Sequence, residues 1–520
     1  MSENRETGGG GGTILARMDM DHEACYRAVV TRDPRFDGKI FGGVKTTGIY
    51  CRPICPARTP KRENMTFYPS AAAAQEAGFR PCLRCRPETS PDLGSWRGTS
   101  NTVSRALGLI EAGALDAGDV EALAERLGVG ERQLRRLFKQ HLGASPVAVA
   151  QTRRVLLAKQ LIHETRLPMS EVALAAGFGS VRRFNETFQQ LFDRPPAALR
   201  RSGSREGAAG EGGAVTLKLG YRAPYDWESM TRFLALRAIP GVETVSARRY
   251  ARTLKVGGEQ GVVIVEPGDG DFLKATIRFA RLSALPTVIA RVRRVFDLTA
   301  DPEAIAAHLM EDPALAPLVA ARPGLRAAGA WDGFELAVRA VLGQQITVVA
   351  ARGLAGRMTA AYGEPLGAGV AAVEGLTHLF PTPERLASAD IAALGMPRSR
   401  ARTLTALAEA AVRDPALFAP RRSLEEAVAR LRDLPGIGEW TAQYIAMREL
   451  REPDAFPHGD IGLMRAMADP QGRRPTPGEL LARAERWRPW RAYAALHLWA
   501  ADTAGAAKPS REKGHAAEAA

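Results

Sequence analysis

The stretch "LRDLPGIGEWTAQYIAMREL", Leu431 to Leu450, sets Leu434-Pro435-Gly436-Ile437-Gly438 as a tight turn between two helices. Glycines at such a turn let backbone N–H groups come close to a phosphate. The segment reads as a helix-hairpin-helix, which many DNA-binding proteins use without catalysis. Further on, "DAFPHGDIGLMR", Asp454 to Arg465, sets an isolated carboxylate, Asp460, behind a loop rich in proline and glycine. Alone, such an aspartate is more often a helix N-cap than a catalyst.

The chain around this hairpin has 520 residues, and at roughly 100 to 200 residues per domain that implies three or four units. Lys and Arg number 71 against 57 Asp and Glu, a net charge of +14. Such a balance favours a polyanionic partner through counterion release, nucleic acid before an anionic membrane surface. Neither a signal sequence nor an apolar run of roughly 18 residues is seen, so a soluble, cytoplasmic protein with no membrane partner is expected. In that reducing compartment clustered cysteines are metal ligands or reactive thiols rather than disulfides.

Composition divides the chain into a flexible leader (1–15), a cysteine-bearing unit (16–90), a helical unit (100–201), a linker (202–213), an α/β unit (214–296), a helical unit with the hairpin (297–504) and a disordered tail (505–520). All five cysteines precede the linker. Cys51 and Cys55 form C-x3-C within "YCRPICP", and Cys82 and Cys85 form C-x2-C within "FRPCLRC". Two short-spaced pairs across a domain-sized loop can close a tetrahedral four-thiolate site of the kind zinc prefers. Cys25 lies outside both pairs, in a helix-like stretch, and reads as a small core residue. A four-cysteine zinc is usually only a staple. Here Lys45, Arg52, Arg58, Lys61 and Arg62 surround the first pair and make a phosphate-facing surface. A zinc with four thiolates carries two net negative charges, so an exposed sulfur stays nucleophilic.

Between residues 119 and 200 the apolar spacing is helical twice over. Val120, Leu123, Ala124 and Leu127, then Leu134, Leu137 and Phe138, flank a Gly128-Val129-Gly130 turn. Val172, Ala173 and Ala176, then Phe184, Phe188, Leu191 and Phe192, flank Gly177-Phe178-Gly179. These are two helix-turn-helix units in tandem. The first recognition helix presents Arg132, Arg135, Arg136 and Lys139, and the second Arg182, Arg183 and Asn185; such side chains reach base edges and phosphates from the major groove.

Three resemblances refine this outline. From about Asp21 to Pro87, "TTGIYCRPICPAR" and "AGFRPCLRCRP" resemble the N-terminal domain of Ada, the bacterial alkylation-response regulator. The resemblance implies one zinc, structural and reactive, held by Cys51, Cys55, Cys82 and Cys85, with Cys51 accepting a methyl group from a DNA methylphosphotriester and Thr47 and Arg58 at the DNA backbone. Residues Ser104 to Arg200, with "GFGSVRRFNETFQQLFDRPPAALR", resemble an AraC-type DNA-binding domain, with Asp193 where that family often has glycine.

Hairpin, Gly/Pro-rich loop and aspartate together are the arrangement of a DNA glycosylase superfamily. From about Val215 to Ala504 the chain resembles the AlkA type, the 3-methyladenine DNA glycosylase II, through "APYDWESMTRFLALRAIPGVETV", "ARPGLR", "FELAVRAVLGQQIT", "FPTPERLASAD", "ALGMPRSRA" and "RAERWRPWRAYAALHLW". The resemblance makes Asp460 catalytic and places Trp440, Tyr444, Trp490 and Phe233 around a flipped base. It puts Gly436 and Gly438 at a phosphate, and Gln345 where the best-known member has an apolar wedge. Ile461 replaces an aromatic beside the catalytic aspartate. Relatives that also cut the backbone place a Schiff-base lysine where this chain has Trp440, so a monofunctional enzyme is implied. Alkylated purines such as 3-methyladenine and 7-methylguanine are cationic, good leaving groups that suit an aromatic pocket.

The expected fold is multidomain and mainly α with α+β parts: a small four-cysteine zinc domain, a tandem helix-turn-helix, an α+β subdomain and a helix-hairpin-helix glycosylase domain. The expected function is alkylation repair and response on double-stranded DNA, damaged and promoter, with RNA polymerase as a further partner, nucleoid association and no organic cofactor. No cysteine follows Cys85 and a Pro-Cys-His-Arg acceptor motif is missing, so direct reversal of O6-methylguanine is not expected. Two rivals remain: a transcription activator whose glycosylase half is inactive, and an enzyme for which the first half only targets DNA.

Overall fold

The computed structural model describes residues 21–90, 101–200 and 214–506, apart from 368, 369, 371 and 372. The expected leader, the linker and the tail from residue 507 onward lie outside the described residues. The final helix, Arg491–Ala506, takes in the first two residues assigned to the tail.

The cysteine unit is a four-stranded sheet of β1 (Phe41–Val44), β2 (Ile49–Cys51), β3 (Met65–Tyr68) and β4 (Arg80–Pro81), in the order β3-β1-β2-β4. β2 and β4 run parallel with Ile49 opposite Arg80 and Tyr50 opposite Pro81. That register brings the end of one cysteine pair to the start of the other. The Cys82 N–H donates to Tyr50 O at 3.0 Å, one residue from Cys51. Cys25 is buried with Ile40, Met65 and Phe67, as its apolar setting foretold.

The tandem helix-turn-helix is present as read. The helices Val120–Arg126 and Glu131–Leu142 form the first unit, Met169–Ala175 and Val181–Phe192 the second, and the long helix Pro146–Glu164 joins them. Both turns pivot on left-handed glycines, Gly128 at φ 66° and Gly177 at φ 87°. Leu134, Phe138 and Leu142 of one recognition helix and Phe184, Phe188 and Phe192 of the other are buried at helical spacing.

In the second half, β5 (Ala214–Gly220), β6 (Glu243–Ser246), β7 (Arg249–Val256), β8 (Glu259–Pro267) and β9 (Phe272–Phe279) form an antiparallel sheet in the order β5-β9-β8-β7-β6. The helix Trp227–Arg237 bridges β5 and β6. All-helical layers follow, with the hairpin between Leu424–Arg432 and Glu439–Arg448. No helix among the described residues is long and apolar enough to cross a membrane.

The two halves are packed together. Buried side chains of the helix Pro146–Glu164, including Val155, Ala158 and Leu161, belong to one apolar cluster with Val215, Leu217 and Leu219 of β5 and Leu285 and Val288 beyond it. Polar contacts seal the seam: Gln160 Nε2 donates to Lys218 O at 2.8 Å, and Lys39 Nζ pairs with Asp301 at 2.8 Å.

Asp193 ends the second recognition helix at φ 54°, a left-handed conformation that a residue with a Cβ enters at a cost. Asp193→Gly is expected to raise stability by about 1 kcal/mol, read as an upward shift in the denaturant midpoint of the full chain.

Candidate active site and metal centre

Burial and backbone donors divide the four sulfurs unequally. They lie within 4.8 Å of one another, with Cys51 half-buried and the other three buried. A tetrahedral zinc with Zn–S near 2.3 Å needs sulfurs about 3.8 Å apart, so four soft thiolates so gathered fit that ion. The Arg52 and Arg84 backbone N–H groups donate to Cys85 Sγ and Cys82 Sγ, each at 3.3 Å. Hydrogen bonds to sulfur withdraw electron density from Cys82 and Cys85, and Cys51 is the most exposed of the four.

The surrounding cations split. Lys45, Arg58, Lys61 and Arg62 are exposed, as is Thr47. Arg52, expected on the phosphate-facing surface, turns inward instead. Its Nε donates to Asp37 Oδ1 at 2.8 Å, and its Nη1 to Thr89 Oγ1 at 2.7 Å and Cys85 O at 3.1 Å. A guanidinium satisfied on three sides by buried acceptors gains more there than over the sulfurs. Lys159, from the helix between the two helix-turn-helix units, also braces this unit through Cys82 O at 2.8 Å and Glu88. Burial pushes its pKa down and Glu88 opposes that shift.

The recognition-helix cations Arg132, Arg135, Arg136, Arg182 and Arg183 are all exposed, as is Asn185. Arg135 and Arg182 pair along their own helices with Glu131 and Glu186. Lys139 instead leans on Glu76 of the cysteine unit at 3.0 Å.

Between the antiparallel sheet's subdomain and the helical layers lies a cavity of about 520 Å³, lined by Phe233, Trp440, Tyr444, Asp460 and Trp499 among others. Asp460 caps the helix Ile461–Ala466 through the Leu463 N–H at 3.0 Å. The same carboxylate accepts the Trp440 indole N–H at 2.9 Å on Oδ2 and the Trp499 indole N–H at 2.8 Å on Oδ1. A carboxylate has about four acceptor sites, so three fixed donors orient it and leave one open. Trp440 and Tyr444, one turn apart on the hairpin's second helix, stack at 5.1 Å with an interplanar angle of 9°.

Guanidiniums also line the cavity. Arg237 and Arg448 lie 3.9 and 4.6 Å from the Phe233 ring centroid. Arg448 Nη1 also donates to the Tyr444 hydroxyl. Burial would push the Tyr444 phenol up, but Arg448 and Arg237 outweigh it and hold the phenol below its ordinary value. Every basic residue lining the cavity is arginine, so none of its described residues is a Schiff-base lysine.

Trp490 is not part of this wall. It is buried in the helical core, edge-on to Tyr493 at 6.3 Å. Trp499 takes the place expected of it. Trp490 immediately precedes the final helix, Arg491–Ala506, and Trp499 follows about two and a half turns later on the side of that helix that faces the cavity. Leu496, Trp499 and Ala500 all line the cavity, and this i, i+3, i+4 stripe was the signal that could have singled out Trp499. Arg237 and Arg448 left no comparable signal.

The hairpin turn carries Gly436 at φ 78°, where a Cβ would come within 2.2 Å of Thr403 Oγ1. Gly436 and Gly438 are exposed while Ile437 is buried, so the turn is anchored by one side chain and open along its backbone. Gln344 ties the neighbouring turn to the hairpin by donating to Gly436 O at 3.0 Å. Gln345 beside it is exposed and left-handed, at φ 58°. Ile461 is 59% exposed.

The sequence matches four family profiles: the metal-binding domain of Ada over residues 24–88, a helix-turn-helix domain over 123–202, the AlkA N-terminal domain over 216–332, and the HhH-GPD superfamily of base excision DNA repair proteins over 338–492. It is 44% identical over 484 residues to the "probable bifunctional transcriptional activator/DNA repair enzyme AlkA" of Mycobacterium tuberculosis, spanning 93% of this chain and 97% of that protein. The chain belongs to this bifunctional AlkA family. Its second half is 40% identical over 288 residues to DNA-3-methyladenine glycosylase 2 of Escherichia coli, 54% of this chain and 95% of that one. Its first half is 30% identical over 190 residues to the bifunctional activator and repair enzyme AdaA of Bacillus subtilis, 36% of this chain and 87% of that one.

If Trp499 orients Asp460, Trp499→Phe keeps the ring and removes the donor. Its single-turnover rate of base release is expected to fall by tenfold or more, roughly 1.4 kcal/mol of barrier. Trp490→Phe is expected to lower the melting temperature and leave that rate unchanged.

Proposed function

We propose that the second half is a monofunctional DNA glycosylase that hydrolyses the N-glycosidic bond of alkylated bases of the 3-methyladenine and 7-methylguanine type, with Asp460 as its catalytic carboxylate. The observation that carries this reading is the convergence of two indole N–H groups on Asp460 in the cavity wall. A carboxylate held so can stabilise an oxocarbenium-like sugar and direct a water to it.

The flipped base stacks on Trp440 and Tyr444, whose ring faces attract a cationic purine. Phe233, with two guanidiniums already against its ring, shapes the pocket's end rather than offering a free face to the base. The exposed N–H groups of the hairpin at Gly436 and Gly438 receive a phosphate. Gln345 enters the gap left by the base as a polar wedge, its strained backbone held by the neighbouring contacts of Gln344.

In the first half Cys51 is the methyl acceptor. Zinc, when bound, holds the four sulfurs together as thiolates. The Cys51 sulfur attacks the methyl carbon of a phosphotriester; a C–S bond forms, the C–O bond breaks, and its electron pair stays on the phosphate as a diester. Thr47 and Arg58 hold the DNA backbone. The thioether product carries one negative charge fewer than the thiolate, so affinity for DNA rises. Arg132, Arg135, Arg136, Arg182 and Arg183 then read a promoter, where an activator contacts RNA polymerase. Work of this kind on chromosomal DNA places the protein at the nucleoid.

Release of free 3-methyladenine from methylated duplex DNA tests the enzyme reading. The intact protein and Cys51→Ser are expected to release it, and Asp460→Asn, which retains a helix-capping side chain, to lose at least about a hundredfold in rate. No release by the intact protein would leave a DNA-binding regulator with an inactive catalytic fold.

A further inference from the structure

The segment between the helices Glu439–Arg448 and Ile461–Ala466 sets the position of Asp460. Most of its hold points come from the glycosylase half. Asp454 accepts from Arg491 Nε at 2.7 Å, Pro453 O accepts from the Ala492 N–H at 2.9 Å, and the Phe456 N–H donates to Gln443 Oε1 at 3.1 Å. One does not. Glu452 Oε1 accepts from Arg105 Nε at 3.0 Å and from its Nη2. Arg105 belongs to the helix Asn101–Glu111 of the helix-turn-helix half, 347 residues away in sequence.

The pair is built into the molecule. Both side chains are 5% exposed, and Arg105 Nη1 donates to Arg422 O at 2.6 Å, at the entry to the hairpin's first helix. One guanidinium therefore bridges the two strands of chain that enter and leave the hairpin. Glu452 in turn folds the loop, donating its N–H to Ala446 O at 3.1 Å and accepting the Ala455 N–H at 3.2 Å. Ala455 and Phe456, which follow, are fully buried. Burial pushes the Glu452 carboxyl up and Arg105 opposes it, which matches a carboxylate that depends on this partner.

We infer that Arg105 is a positioning residue for the glycosylase: by clamping Glu452 it holds the loop that presents Asp460, so base release depends on a side chain of the helix-turn-helix half. The inference rests on Asp460 being the catalytic carboxylate. Arg105 does not touch the base or the sugar; it acts through Glu452 on where Asp460 stands. A chain cut at the linker would lack this clamp.

The test uses the full-length protein, 3-methyladenine in duplex DNA, and two readouts: the single-turnover rate at saturating protein and the dissociation constant for the duplex. Arg105→Ala is expected to lower the rate about tenfold or more with affinity unchanged, because small displacements of a reacting group cost rate before binding. Arg105→Lys is expected to restore part of the rate. Arg105→Met with Glu452→Met, which removes the buried charges together, is expected to restore most of it. No release by the wild type overturns the reading of Asp460 and this inference with it. Release by the wild type that Arg105→Ala leaves untouched overturns the inference alone, as does a joint fall of rate and affinity that neither companion variant reverses.

Discussion

Three N–H groups meet on the carboxylate of Asp460, two of them indoles brought from two different helices. The rest of the second half can be understood as what this convergence demands. The hairpin's second helix must deliver Trp440, the final helix must cross behind the loop to deliver Trp499, and the loop must end in a helix whose first turn Asp460 can cap. Capping and the proposed catalysis are not rival uses of the residue. The helix terminus fixes one oxygen, and the indoles aim the group at the cavity.

The sensor depends on an equally local constraint. Parallel pairing of β2 with β4 sets Tyr50 beside Pro81, and so the two cysteine pairs side by side. Tyr50 is buried while Ile49 and Cys51, on either side of it in the strand, are half-open. Alternation along the strand thus leaves one sulfur of four partly open, with exposed Thr47 on the turn before β2 and exposed Arg58 on the loop after it. Arg52, pointing the other way by the same alternation, is tied into the fold.

Short-range patterns were legible in the sequence. C-x3-C and C-x2-C, the glycine turns of the helix-turn-helix pair, Leu434 to Gly438 and the placement of Asp460 all express contacts within a few residues. Side-chain direction at longer range was not. Trp490 and Trp499 stand in one motif-rich stretch, and only the phase of the helix between them decides which indole reaches the cavity. Arg52 reads as surface because its acceptors, Asp37 and Thr89, carry no mark of pairing in sequence. The Arg105 and Glu452 pair, across the whole molecule, had no local signature at all. The linker marks two functional halves, and the apolar cluster from Val155 to Val288 runs through both.

We propose that one packed chain carries two chemistries, a single-use methyl acceptor and a turning-over hydrolase. The most direct measurement gives the zinc-loaded protein duplex DNA bearing both methylphosphotriesters and 3-methyladenine, and follows peptide methylation and free base in the same sample. The account predicts methyl on Cys51 alone, reaching one per chain and stopping, while base release continues beyond one per chain. Methyl on Cys55, Cys82 or Cys85, or base release that halts with the methylation, would contradict it.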